Sequence, residues 1–149
     1  MKKVLSNLLL TFICIVILDS CASDLNFFSS SKGYKFAYID DSKDSGGDAS
    51  LMNFKVQLQQ ALQSTDLTEV SKEDISNMSD EDKSKLMVLT LSGSQRRENS
   101  VATININDYK TNKVLASCNG VFGFGFSTYD DMNGAIKKAI KSFIKYLEQ

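Results

Sequence analysis

The sequence predicts an α+β domain with a single sheet of about four to five strands, largely antiparallel, and two helices packed on one face. Three features carry this reading. Segments 51–62 and 132–147 repeat apolar residues at three and four, the period of an amphipathic helix. Residues 101–108 alternate between apolar and polar, as in a strand with one buried face. Leu86 to Leu91 (LMVLTL) is apolar almost throughout, which suits a central, deeply buried strand. The resulting order is β-α-β-β-β-β-α.

Composition narrows the function classes. The chain has 149 residues, 42% of them hydrophobic, and a formal net charge of -1. That is enough for one folded domain, and neither the apolar fraction nor the charge suits a disordered chain. A pI of 5.4 argues against nucleic acid as a partner. With no His, there is no Ser-His or Cys-His dyad and no His-ligated metal within the chain.

The N-terminus reads as an address. Lys2 and Lys3 precede a mostly apolar run from Val4 to Leu18. The run is shorter than the roughly 20 residues of a membrane-spanning helix, so residues 1–20 are expected to be a secretory signal. The run ends in Leu18-Asp19-Ser20-Cys21, which resembles the lipobox of bacterial lipoproteins, with Asp19 departing from its pattern. The resemblance implies cleavage between Ser20 and Cys21, acylation of the Cys21 sulfur (palmitate among the acyl groups) and a membrane as partner. With Ala22 following the Cys, the resemblance also implies the outer membrane over retention in the inner one. An ordinary signal with a Cys near the cut site is the alternative. Residues 21–33 are then a lipid-anchored tether, polar apart from Leu25, Phe27 and Phe28, and residues 34–149 the single domain.

Within the domain, Tyr34 to Ile39 (YKFAYI) reads as strand one, and Asp40 to Asp48 as a loop broken by a Gly pair. Leu51, Phe54, Leu58, Ala61 and Leu62 share a face of the first helix, with Asp48 or Ser50 as its cap. Leu67 to Val70 is a short edge strand. Ser71 to Ser84 is an exposed acidic loop or a weak helical turn. Beyond the buried strand and a turn at 92–99 carrying Arg96 and Arg97, Ala102, Ile104 and Ile106 point to one side of the next strand. Residues 109–112 turn the chain, and Val114 to Phe126 runs back. Asn119-Gly120 is open to three readings: an unbroken strand, a bulge or a hairpin turn. In the last helix Met132, Ala135, Ile136, Ala139, Ile140, Phe143, Ile144 and Leu147 form the apolar stripe. Thr128 with Asp131 suggests its capping box.

This order of elements, with the turn Ile106-Asn107-Asp108-Tyr109-Lys110-Thr111-Asn112-Lys113-Val114-Leu115, resembles small periplasmic modules. Examples are the N-terminal domain of the translocation protein TolB and curli-secretion lipoproteins of the CsgG type. The resemblance implies an envelope adaptor or assembly role and carries over no catalytic residue. Asn112 stands where such turns often have Gly, and both tolerate positive φ.

Three groups of residues are candidates for chemistry. Cys118 has no basic neighbour in the sequence to activate it and reads as a small buried residue. Asp40, Asp41, Asp44 and Asp48 have some of the spacing of a calcium loop, but Lys43 interrupts them and no Glu closes the loop, so a solvated turn is expected. Gly123 and Gly125, interleaved with Phe122, Phe124 and Phe126, suggest close packing or an apolar-ligand strand. The sequence therefore points to a non-enzymatic, lipid-anchored envelope protein that binds another envelope protein, without cofactor or metal. A carrier of a small apolar ligand or lipid is the alternative.

Overall fold

The computed structural model describes residues 33–40, 49–95 and 98–149. The signal, most of the tether, the loop acids Asp41, Asp44 and Asp48, and Arg96-Arg97 lie outside the described residues. The elements are β1 (Phe36–Asp40), α1 (Ala49–Leu62), β2 (Thr68–Glu69), α2 (Lys72–Asn77), α3 (Asp80–Lys83), β3 (Leu86–Gln95), β4 (Ser100–Asp108), β5 (Val114–Phe122) and α4 (Thr128–Leu147).

Five strands form one sheet in the order β2-β1-β3-β4-β5. β1 runs parallel to β2 and to β3, while β3, β4 and β5 form an antiparallel meander. The sheet is therefore mixed. Parallel neighbours need a crossover, and α1 supplies it between β1 and β2. The apolar run of β3 does occupy the middle, between β1 and β4.

One face of the sheet carries the core. Phe54, Leu58 and Leu62 of α1 and Met132, Ala135, Ile136, Ala139, Phe143 and Leu147 of α4 are buried. They pack with Ala37, Ile39, Met87, Leu89, Ala102, Ile104, Ile106 and Cys118, the set that strand alternation places on the same side. Asn53 donates to Asn133 at 2.6 Å, joining the two helices.

The acidic segment forms two short helices. At α2, the Ser71 hydroxyl accepts from the Asp74 amide while the Asp74 carboxylate accepts from the Ser71 amide. Ser79 caps α3 through the Asp82 amide. The cap of α4 lies one residue before the expected Thr128, at Ser127. Ser127 accepts from the Asp130 amide at 3.2 Å. Asp131, expected in that box, instead accepts from the Gly125 amide at 2.6 Å.

The β4–β5 ladder settles the Asn119-Gly120 question. Thr103 faces Asn119 and Ala102 faces Gly120 without interruption. The irregularity lies at the other end, where Ile106 pairs with Ala116 and Asn107 with Val114, so Leu115 is the extra residue. β5 stops at Phe122. Of the glycine–phenylalanine segment, Phe122 alone is in the strand. Gly123, Phe124, Gly125 and Phe126 belong to the connection into α4.

Candidate functional site

The strand registers give the domain two poles. Phe36, Leu86, Asp108 and Val114 lie at one end, and Gln95, Ser100 and Phe122 at the other. The nine residues of β4 separate them by about 27 Å. The tether joins at the first pole, before Tyr34. The Lys35 and Phe36 amides both donate to the Lys85 carbonyl there, at 2.9 and 3.1 Å. The Tyr34 hydroxyl donates to Asp108 Oδ2 at 2.9 Å.

Asp108 also organises the turn that follows. Its Oδ1 accepts from the Thr111 amide and from the Thr111 hydroxyl, each at 2.7 Å. Asn112 then takes the left-handed conformation, φ 57°, as expected of that position. The Thr111 hydrogen bonds, with a further contribution from Tyr34, hold the Asp108 carboxyl below the usual range. Burial first, and the Asp108 carboxylate second, push the Tyr34 hydroxyl up to about 12.

The opposite pole is aromatic. Phe124 is 95% and Phe126 106% exposed, and Tyr129 on the first turn of α4 is 62% exposed. Val121 and, on α1, Met52 are also exposed. The connection that carries the two Phe is held at its base by the Gly125 amide on Asp131 and by Ser127, whose hydroxyl donates to Asp130 at 2.7 Å. Phe122 faces inward. Its ring covers Gly134 of α4, where a Cβ would overlap the ring atoms. Lys138 lies 5.1 Å from the ring centroid and donates to the Val121 carbonyl at 2.9 Å. The five residues singled out in the sequence therefore separate. Phe122 is a packing residue, Gly123 and Gly125 shape the connection, and Phe124 and Phe126 project into solvent.

Cys118 is buried on the helix-covered face of β5. Burial pushes its thiol up, opposed by a hydrogen bond with Ser142. A thiol so placed is a poor nucleophile, in keeping with a packing role.

A cleft lies on the sheet face away from α1 and α4, nearer the tether-bearing pole. It has a volume of about 840 Å³. Its floor is Tyr38, Asp40 and Val88, the residues whose alternation turns them away from the core. α2 and α3 form one wall with Lys72, Ile75, Asp80 and Lys83, and the β4–β5 turn forms another with Tyr109, Lys110 and Asn112. Ile75 of α2 and Leu86 of β3 are both buried. Beside the cleft the sheet face is polar: Thr103 donates to Asn119 at 2.7 Å and Ser117 to Asn105 at 2.9 Å. Sequence reasoning misses this site because residues 71–84 read as an exposed acidic loop or a weak helical turn, and neither reading makes them the wall of a cleft. The two Ser-x-x-Asp signatures at 71–74 and 79–82 were the available signal.

No protein-family model matches the chain, and no curated protein matches it. Solved structures similar to the chain are found at low identity. The PelC dodecamer from Paraburkholderia phytofirmans is 16% identical over 75% of this chain and 88% of that chain, with a TM-score of 0.46. A PelC variant is 16% identical over 76% and 90%, again at 0.46. A neuraminyllactose-binding hemagglutinin homolog from Helicobacter pylori is 12% identical over 80% and 85%, at 0.47.

Proposed function

We propose that this chain is a lipid-anchored, non-enzymatic protein of the bacterial cell envelope, held in the outer membrane through acylated Cys21. It binds another envelope protein through the aromatic pole. The lipobox-like Leu18-Asp19-Ser20-Cys21 supports the anchor. The observation that carries the binding role is the full exposure of Phe124 and Phe126 beside Tyr129. Burying a Phe is worth about 1.5–3 kcal/mol, and the fold forgoes that twice within three residues. Clustered exposed aromatics of this kind mark interaction surfaces. The described chain enters the domain at the opposite pole, so the aromatic residues and the start of the domain lie at different ends of the sheet. The apolar-ligand reading gains nothing from these residues, since Phe124 and Phe126 are almost fully exposed and neither lines the cleft described above.

Photo-cross-linking in cells tests the binding role. The full chain carries the photoreactive residue in place of Phe126 or, as control, of Lys141 on the exposed side of α4. One defined envelope protein captured from position 126 and not from 141 is the expected result. Equal capture from both, or none, overturns the reading. Mass spectrometry of residue 21 tests the anchor separately, and an unmodified Cys21 in the mature protein overturns it.

A further inference from the structure

The geometry points to a second site: we infer that the cleft between α2–α3, the β4–β5 turn and the uncovered sheet face binds an acidic saccharide, a sugar bearing carboxylate or phosphate. The sorting of charge around it is the first observation. Segment 71–84 holds five acids and two lysines. Both lysines, Lys72 and Lys83, line the cleft, whereas of the acids only Asp80 does. Lys110 adds a third ammonium group from the facing turn. Among the described residues, none of the three has a carboxylate within ion-pair distance. Three cations from three elements, two of them from an otherwise acidic segment, line one cleft and favour an anion between them.

The remaining lining decides what carries the anion. Asp40 and Asp80 sit in the same cleft. They oppose a bare phosphate, and the lysines oppose a cation. Carboxylates do suit hydroxyl groups, which donate to them, while the lysines take the acidic group. Tyr109, on the facing turn, adds an aromatic ring and a hydroxyl to the lining, groups that suit the C–H surface and the edge of a sugar. A volume of about 840 Å³ falls within the range of small-molecule sites and admits a few sugar units. This site lies apart from the aromatic pole, and its ligand is independent of the protein partner proposed above.

Calorimetric titration of the full chain in detergent micelles tests the inference, with trigalacturonate, maltotriose and inorganic phosphate as probes. Trigalacturonate is expected to bind at least tenfold more tightly than either of the others. Lys83→Gln with Lys110→Gln should weaken it at least tenfold, and Lys137→Gln with Lys141→Gln, on the exposed side of α4, should leave it unchanged. Circular dichroism confirms that both double variants are folded. The inference is overturned if trigalacturonate does not bind, or if maltotriose or inorganic phosphate binds as well. It is equally overturned if the cleft variant binds like the parent.

Discussion

Cys118 is 3% exposed, and its thiol is pushed up by burial, so reaction requires the strand to open. Iodoacetamide should leave Cys118 unmodified in buffer and alkylate it fully in guanidinium chloride, as read from the mass of its peptide. Rapid labelling of the native chain would refute this placement. The Tyr34–Asp108 pair makes a pH-dependent contribution to stability at both extremes. Asp108 has a folded value below its ordinary one, so its share is present above about pH 4 and is lost as the pH falls through the folded value. Tyr34 is raised from 10.0 to about 12. Its share is complete below pH 10 and is lost as the pH rises toward 12. Tyr34→Phe should lower stability by about 1 kcal/mol at neutral pH, the worth of one hydrogen bond. It should also remove the alkaline part of that dependence, measured as urea midpoint against pH. An alkaline profile identical to that of the parent would show that the contact contributes nothing. Cys118 was legible in the sequence because a strand-period position with no basic neighbour needs no tertiary information. The Tyr34–Asp108 contact was not, since its partners lie 74 residues apart.

At the scale of elements, α4 lies so close to β5 that a Cβ on Gly120 would overlap the Ala135 carbonyl oxygen and the Ala139 amide nitrogen. Backbone cannot yield as a side-chain tip does. Gly120→Ala should therefore cost about 1–3 kcal/mol by overpacking. Gly93→Ala meets the flexible end of Met132 at 3.3 Å and should cost less than half as much. Denaturant midpoints of the two variants check the ordering, and equal losses would contradict the close approach of helix and strand. The same contrast explains what the sequence made legible. α1, β3, β4 and α4 bury long periodic faces, and their apolar spacing survives in the one-dimensional pattern. α2 and α3 bury little beyond Ile75 and are specified by capping hydrogen bonds, so periodicity could not reveal them. The end of β5 at Phe122 was equally hidden. The alternation of Gly and Phe continues past it, and only the geometry of the connection to α4 ends the strand. The cleft inherits this uncertainty, because its wall is α2–α3.

For the whole molecule, the separation of poles predicts that stability and partner binding are lost independently. Phe124 and Phe126 contribute little to the core, being exposed at 95% and 106%. Replacing both with Ser should change the free energy of unfolding by no more than about 0.5 kcal/mol per site, the range of ordinary surface substitutions. Phe143 of α4, packed in the core, is fully buried, and Phe143→Ala should cost about 3–5 kcal/mol. The two variants should then part in cells. The Phe124, Phe126 double variant should accumulate at parental levels, fractionate with membranes if Cys21 is acylated, and lose the cross-link placed at Val121, which lies beside the aromatic pole. The Phe143 variant should fail at accumulation, because a loss of that size consumes much of a small domain's 5–15 kcal/mol. Thermal unfolding, membrane fractionation and cross-linking of the same two strains separate these outcomes. A double variant that unfolds at markedly lower temperature would mean that the two rings serve the fold. One that retains the cross-link would place the partner's contact elsewhere on the domain.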